Sequence, residues 1–242
     1  MKEILKFKNL LFLSIFILLS SCGQTIDVDD EEKYLINLSS LGGITSYKGI
    51  PYTGKIVKYV DDEKTQLEWK KTYEEGKLDG LSEEYNKNGQ LEESVTYKEG
   101  EVEEEVKYTY HENGQLKQKK SFKDGKEDGQ WEFYIDNGQL VNKETYKDGK
   151  KDGQWELYNV RYNDDNTLQR GSLYVKGTYK DGKEDGQWER YDENGKLFSK
   201  GTYKDGKEDG QWEYYYGNDG QLTGKGTYKD GKEDGQWEYY DE

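Results

Sequence analysis

The sequence predicts an all-β protein: an elongated, single-layer antiparallel sheet of consecutive β-hairpin repeats, preceded by a cleaved signal peptide. Three observations lead to this prediction. The tetrapeptide Gly-Gln-Trp-Glu recurs in the second half of the chain. The composition combines 23 tyrosines and 29 glycines with a single proline. Asn-Gly and Asp-Gly pairs separate the aromatic stretches, and such pairs favour two-residue type I′ turns because both turn residues need a positive φ.

The repeat unit shows in the spacing of the aromatic residue that opens each copy. Successive copies begin 24, 25, 24, 33, 24 and 25 residues apart, so one interval is longer than the others. The opening residues are Tyr73, Tyr97, Phe122, Tyr146, Tyr179, Tyr203 and Tyr228. Since one hairpin is too small to form a core, this periodicity indicates units that stabilise each other through their neighbours.

The turn position fixes the register of each hairpin. A two-residue turn at 194–195 places Trp188 opposite Gly201, where the indole covers bare backbone. It also places Tyr191 opposite Phe198 on the other face of the sheet. Cross-strand pairs of this kind contribute roughly 0.2–1 kcal/mol each, so stability is expected to come from many repeats together.

Opposite charges share the face that lies away from the tryptophans. Glu189 is predicted to face Lys200, and Glu132 to face Lys143 in an earlier copy. Because such pairs are expected to be exposed, each should contribute little.

The first residues have the pattern of an export signal. Lys2, Lys6 and Lys8 precede an uncharged apolar run at 10–19. This run is shorter than the roughly 20 apolar residues that a membrane-spanning helix needs. The order of basic start, apolar run and small residues is typical of a secretory signal peptide.

The signal ends in Leu19-Ser20-Ser21-Cys22, which resembles a bacterial lipobox. The resemblance implies that Cys22 becomes the first residue and receives acyl chains that anchor the protein to a membrane. Gly23 is not the aspartate that favours inner-membrane retention in some bacteria, so a Gram-negative protein of this kind is expected at the outer membrane. The alternative is an ordinary cleaved signal with a free cysteine.

Charge and cysteine content limit the partners. The formal net charge is −15, and removal of residues 1–21 would make it −17. Such a chain repels phosphate backbones, so nucleic acid is not expected as a partner. A single cysteine cannot form an intramolecular disulfide, so the exported domain must be stable without one.

These features divide the chain into three parts. Residues 1–21 form the lipoprotein signal peptide. Residues 22–48 form a lipidated acidic tether with an edge strand near 33–41. Residues 49–242 form the repeat array.

The recurring elements Gly-x-Trp, Asn-Gly-x-Leu and Tyr-x-x-Gly resemble MORN repeats of the bacterial variant. The likeness extends over about residues 49–242 and begins with Gly-Ile-Pro-Tyr-Thr-Gly at 49–54. It implies a row of antiparallel hairpins in one curved sheet, and a role in scaffolding or contact. Some members of this family are antitoxin-like.

We expect no metal, cofactor or catalytic site. The segment 181–186, Asp-Gly-Lys-Glu-Asp-Gly, is rich in carboxylates but lacks the spacing of a calcium loop, and Asp-Gly favours a turn. His111 is the only histidine, and one histidine cannot build a zinc site. The Glu–Lys pairs recur in every copy, as sheet pairing requires and a unique active site does not. The sequence therefore predicts a protein that is not an enzyme.

The candidate binding residues belong to two groups. The first consists of tyrosines on the face opposite the tryptophans, which could contact a protein or stack on a glycan. They are Tyr134, Tyr158, Tyr191, Tyr215 and Tyr240. The second decorates the hairpin within the long interval, whose tip is predicted at 165–167 and which should project beyond its neighbours. Its members are Arg161, Tyr162, Arg170 and Tyr174.

Three functions remain open at this level. The first is a lipid-anchored envelope scaffold that binds a protein partner, for which the hairpin at 160–172 is a candidate contact. The second is an antitoxin-like or immunity lipoprotein that neutralises a toxin. The third is a glycan or cell-wall binding repeat protein. The projecting hairpin is also explained by a tolerated insertion without function.

Overall fold

The computed structural model describes residues 24–28, 44–47, 49–216 and 220–240. Within these ranges the chain forms strands joined by turns and bends, which confirms the all-β prediction. None of the described residues belongs to a helix long and apolar enough to cross a membrane. The predicted signal peptide and Cys22 lie outside the described residues. The chain divides into two units, residues 1–105 and 106–242.

The first unit is a sheet of consecutive hairpins. Its strands are β1 (Gln24–Asp27), β2 (Ser46–Tyr47), β3 (Ile50–Pro51), β4 (Gly54–Tyr59), β5 (Leu67–Glu74), β6 (Lys77–Leu78), β7 (Gly80–Tyr85) and β8 (Leu91–Lys98). Antiparallel ladders join β4 to β5, β5 to β7 and β7 to β8. The strands β2 and β3 form a short ladder of their own. Strand β9 (Glu101–Tyr110) crosses the boundary between the units.

Strand β1 lies within the segment 22–48 that was predicted as a tether with an edge strand. It pairs in parallel with β4. Ile26 is fully buried, and Asp27 forms an ion pair with Lys64 at 2.5 Å. Burial of an isoleucine side chain stabilises the strand by about 1.5–3 kcal/mol. The ion pair with Lys64 offsets the cost of placing the Asp27 carboxylate beside this buried side chain. The predicted edge strand near 33–41 lies outside the described residues.

The second unit continues the same pattern. Its strands are β10 (Leu116–Lys123), β11 (Lys126–Tyr134), β12 (Leu140–Lys147), β13 (Lys150–Lys151), β14 (Gly153–Tyr162), β15 (Leu168–Lys180), β16 (Lys183–Glu184), β17 (Gly186–Tyr191), β18 (Leu197–Lys204), β19 (Lys207–Tyr216), β20 (Gln221–Lys229) and β21 (Lys232–Tyr239). Antiparallel ladders join strands that follow each other in the chain, so each hairpin pairs with the next.

Asp-Gly pairs form the turns between one repeat hairpin and the next. Asp181 and Gly182 both have a positive φ, at 51° and 84°, and Lys180 pairs with Lys183 across them. This is the predicted type I′ turn. The N–H of Gly182 donates to the carbonyl of Lys151 in the preceding turn region at 2.8 Å, so successive turns are tied along one edge of the sheet.

At the Asn-Gly tips, the predicted turn is wrong in one detail. Gly195 has a φ of 81°, but the residue before it does not have a positive φ. The N–H of Gly195 donates to the carbonyl of Asp192 at 3.0 Å, which defines a type I turn closed by a bulge. This loop shifts the pairing next to the tip by one residue, so Tyr191 lies opposite Leu197 and not opposite Phe198. A second bulge, at Phe198, restores the predicted register from Arg190 onwards.

Beyond this tip the predicted register is confirmed. Trp188 lies opposite Gly201 within its hairpin, and Trp155 lies opposite Gly177. The pairing alone does not say which glycine an indole covers, because these tryptophans have a neighbouring strand on either side.

The indoles cover the glycine of the preceding hairpin, which corrects the predicted contact. The ring of Trp188 lies over Gly177. The ring of Trp212 lies in the same way over Gly201, so closely that a Cβ on that glycine would overlap the indole. The indole N–H of Trp188 donates to the carbonyl of Thr178 at 3.1 Å. That carbonyl lies in the preceding hairpin, so the hydrogen bond explains the direction of the ring.

These rings form the core of the second unit on one side of its sheet, here named the Trp face. Trp188 and Trp212 are only 2% and 1% exposed. Tyr203 lies between them, with its ring centroid 5.6 and 5.2 Å from theirs in T-shaped geometry. The packed rings of this face are Trp155, Tyr179, Trp188, Tyr203, Trp212, Tyr214, Tyr228 and Trp237. Edge-to-face pairs add about 0.5–1.5 kcal/mol each beyond the area they bury.

Two earlier copies have another residue at the position of the covered glycine. Lys120 lies opposite Trp131, with its Nζ 4.4 Å from the ring centroid. Glu144 occupies the matching position in the hairpin before Trp155, and its side chain is 8% exposed. Burial opposes ionisation of Glu144, but hydrogen bonds from Tyr146 and a lysine hold its pKa below the ordinary value. The Trp face therefore tolerates a charged residue only where a cation–π contact or a hydrogen-bonded partner compensates it.

The close approach of indole and glycine predicts a large cost for a single methyl group. Gly201→Ala should lower the free energy of unfolding by about 1–3 kcal/mol, because Trp212 must leave its place. Gly224→Ala is the matched control, since its Cβ would meet Tyr239 at an ordinary 3.5 Å. Urea unfolding followed by tryptophan fluorescence measures both. Equal midpoints for the two variants would contradict the proposed role of the contact.

Candidate interaction surface

The face opposite the tryptophans, here named the Tyr face, carries a recurring unit of tyrosine, glutamate and lysine. In each unit the tyrosine hydroxyl donates to the glutamate two residues earlier. The pairs are Tyr134–Glu132 (3.0 Å), Tyr158–Glu156 (3.3 Å), Tyr191–Glu189, Tyr215–Glu213 and Tyr240–Glu238 (2.5 Å). The structure thus brings the five predicted tyrosines to one face and engages the hydroxyl of each within the chain.

The glutamates alternate with lysines in a row across the strands. From β10 to β21 the row reads Lys119, Glu132, Lys143, Glu156, Lys176, Glu189, Lys200, Glu213, Lys225 and Glu238. The predicted opposition of Glu189 and Lys200 is confirmed. The ion pair of Glu189, however, is with Lys176 of the preceding hairpin, at 2.9 Å. Ion pairs of this kind join one hairpin to the next, as the indoles do.

In the last two units of this row, neighbouring groups favour the charged states. Hydrogen bonds from Lys200 and Tyr215 lower the pKa of Glu213. Hydrogen bonds to Tyr240 and Glu238 raise the pKa of Lys225 to about 12. With five lysines and five glutamates, the row is neutral in sum. It therefore has the electrostatics of a structural ladder and not of a poised acid or base.

Cations also lie over the rings of four of these five tyrosines, Tyr158, Tyr191, Tyr215 and Tyr240. The Nζ of Lys200 lies 5.7 Å from the centroid of Tyr215, and the guanidinium of Arg170 lies 4.6 Å from that of Tyr158. A ring that already carries a cation offers less of its face to a sugar. The geometry therefore assigns these tyrosines to the ladder and directs attention to the aromatic residues beside it.

The hollows of the Tyr face repeat with the units. One of about 420 Å³ is lined by Gln187, Glu189, Lys200 and their neighbours. A similar hollow of about 230 Å³ lies one repeat earlier, around Gln154 and Glu156. Since equivalent side chains line both, neither has the unique set of groups that an active site requires.

The long interval forms a projecting hairpin, β14 and β15, as predicted. Trp155 to Leu157 keep the predicted register, and the pairs nearer the tip shift by one and then two residues at bulges. The tip closes with the N–H of Asn163 donating to the carbonyl of Thr167 at 2.8 Å. Arg161 and Tyr162 are exposed near this tip.

Two contacts of Arg170 tie the outer half of this hairpin to its predecessor. The backbone N–H of Arg170 donates to the Gln139 amide oxygen at 2.9 Å, and its guanidinium donates to the carbonyl of Leu140 at 3.4 Å. Since Arg170 pairs with Val160, two pairs before the ladder ends at Tyr162 and Leu168, the hairpin is docked near its tip through β15. Tyr162 of β14 stays exposed there.

Four exposed apolar side chains lie on the Tyr face of this hairpin and its neighbour, and we name them together the arm patch. Its members are Val160 (44% exposed), Tyr162 (68%), Tyr174 (48%) and Phe198 (50%). Sequence reasoning missed Val160 and Phe198. The predicted two-residue turn placed Phe198 in a cross-strand pair with a tyrosine, whereas the bulge leaves it beside the ladder.

The sites weighed for metals lie in turns. Asp181 and Gly182 form a type I′ turn, and the Asp152 carboxylate accepts the Asp181 N–H at 3.1 Å. The Nε2 of His111 lies 2.9 Å from the carbonyl oxygen of Tyr134. Among the described residues, no group of three or more histidine, cysteine, aspartate or glutamate side chains could hold a metal ion.

The geometry defines a β-hairpin repeat protein that presents a face and not a cleft. Four segments of the chain match the family described as MORN repeat variant: residues 78–99, 106–124, 127–148 and 184–205. No curated protein matches the chain. One matching segment lies in the first unit and three lie in the second. Repeats of this kind are generally modules for protein or membrane interaction, and proteins built from them are typically non-catalytic scaffolds.

The engaged tyrosines predict a loss of stability in alkali. Burial and the Glu132 carboxylate raise the pKa of Tyr134 to about 12, above the ordinary value of 10.0, and the pKa of Tyr214 is raised by burial and a hydrogen bond with Tyr228. The folded state thus holds these protons more tightly than the unfolded state. Its stability should be complete below about pH 10 and fall as the pH rises further.

Thermal unfolding followed by circular dichroism at increasing pH measures this effect. The melting temperature should fall above about pH 10, and Tyr134→Phe should reduce the slope of that fall. A melting temperature that stays constant while unfolded tyrosine ionises would contradict the assigned environment.

Proposed function

We propose that this protein is a non-catalytic scaffold of a bacterial envelope, held at the membrane by acyl chains on Cys22 and presenting its Tyr face to a protein partner. The observation that carries the proposal is the repeated Tyr–Glu–Lys unit, whose polar groups satisfy each other in copy after copy. A catalytic site needs a set of perturbed groups found once, whereas repetition builds a wide contact surface.

The net charge supports a protein that is attached to the membrane by its lipid and not by its repeat surface. A chain with a net charge of −15 is repelled by anionic lipid and by nucleic acid. The repeat surface is thus poorly suited to hold the protein on a membrane by itself. Acyl chains on Cys22 would supply that attachment, since two or more chains anchor stably where one does not.

The anchor is tested by metabolic labelling. Cells that express the full chain should incorporate labelled palmitate into it, and Cys22→Ala should abolish the label and release the protein from the membrane fraction. Thr25→Ala, which lies outside the Leu19–Cys22 motif, is a control that leaves the modified cysteine in place. Normal labelling of Cys22→Ala would remove the anchor from the proposal.

The scaffold role is tested by photo-cross-linking of the lipidated chain in envelope membranes. A photoreactive residue replaces Tyr174, Gln187 or Gln211 on the Tyr face, and Tyr239 on the Trp face as the control, since Tyr239 is 75% exposed. We expect a protein adduct from one or more Tyr-face positions and none from Tyr239. An adduct whose added mass is removed by glycosidase would support a glycan ligand instead. No adduct at any Tyr-face position would refute the scaffold role.

A further inference from the structure

The projecting hairpin has a composition unlike the rest of the chain. Residues 158–174 contain neither lysine nor glutamate, although charged residues make up 36% of the protein. They contain three tyrosines and two of the three arginines, Arg161 and Arg170. Tyrosine and arginine are enriched at the energetic centres of protein interfaces, whereas lysine and glutamate are depleted there.

The contacts place the aromatic part of this hairpin on the Tyr face. Arg170 lies over the ring of Tyr158 and pairs with Val160 on the adjacent strand. Since alternate residues of a strand share a face, Val160 and Tyr162 lie on the same side as Tyr158. Both are exposed, at 44% and 68%.

The two further members of the arm patch, Tyr174 and Phe198, lie at bulges. Tyr174 adjoins Val175, which is buried in the Trp-face core, and Phe198 adjoins Ser199, which is 1% exposed. Alternation therefore directs Tyr174 and Phe198 to the Tyr face. Burial of these exposed side chains by a partner would remove their apolar surface from water, which is the main favourable contribution to association.

Carboxylates surround the arm patch at the hairpin tips. Asp164 and Asp165 lie at the tip of the projecting hairpin, and Asp192 and Glu193 lie at the tip of the next. Hydrogen bonds from Thr167 lower the pKa of Asp165, so it is ionised at neutral pH. The patch is thus an apolar centre with an acidic rim, on a chain that is itself strongly acidic.

We infer that the arm patch is the contact for a basic protein, which places an apolar group on Tyr162, Tyr174 and Phe198 while its cations meet the acidic rim. The inference rests on the proposed scaffold function and names its partner surface. Charge complementarity selects the partner and accelerates its encounter, and the apolar centre supplies the affinity. An acidic partner would be repelled by the same rim.

Photo-cross-linking locates the contact on the full lipidated chain. A photoreactive residue at Tyr174 or Phe198 should give the same discrete adduct, whereas Gln211, on the Tyr face outside the arm patch, should give less or none. Mass spectrometry identifies the adduct, which should be a protein with a basic isoelectric point. A neutral or acidic protein, or a glycan, at Tyr174 and Phe198 would overturn the inference.

The affinity of the identified protein then tests the patch directly. Tyr162→Ser combined with Phe198→Ser should weaken binding at least tenfold, since truncation of central interface side chains costs that much or more. Tyr239→Ser should leave binding unchanged, because Tyr239 is exposed on the other face. Raised salt should slow association. Equal affinities of the two variants would overturn the inference.

The two proposals fail in different ways. Protein adducts from Gln187 or Gln211 without any from Tyr174 or Phe198 would remove the arm patch and keep the scaffold. Absence of protein adducts from all four positions would remove both.

Discussion

The fold depends on the contact between each indole and the glycine of the hairpin before it. The boundary between repeats is packed by Trp188 over Gly177 and by Trp212 over Gly201. The hydrogen bond from each indole N–H to a carbonyl of the preceding hairpin orients the ring towards that hairpin. A sheet one layer thick has no second layer to bury its side chains. Apolar burial must therefore come from rings that lie flat on neighbouring backbone, and a bare glycine permits that approach.

Much of this packing could be predicted from the sequence, because every copy of the repeat must fit the same turn position and strand register. Trp188 opposite Gly201 followed from the turn position, and Asp181-Gly182 formed the predicted two-residue turn. The backward lean of the indole could not be predicted, since glycines flank Trp188 on both sides and pairing alone is symmetric. The hydrogen bond from Trp188 to the Thr178 carbonyl selects Gly177, and only the three-dimensional structure reveals that bond.

The candidate site was harder to predict for a similar reason. The tyrosines opposite the tryptophans were placed on the right face, but their engagement by glutamate and lysine depends on side-chain geometry. Phe198 was hidden because Asn-Gly is compatible with a two-residue turn and with a bulged three-residue loop. The bulge moves this ring out of a cross-strand pair and into an exposed position. A single-residue shift thus decides whether a ring supports the sheet or faces a partner.

The backward contact also bears on how such a chain can change its length. The eleven residues at 179–189 recur without alteration at 203–213 and at 228–238. Recombination between the first two copies would excise one unit and bring Trp212 over Gly177, the glycine that Trp188 covers now. Every boundary between hairpins in this part of the array would still pack an indole on a glycine. The array can therefore lose or duplicate whole units in a lineage while the packing at each seam stays the same.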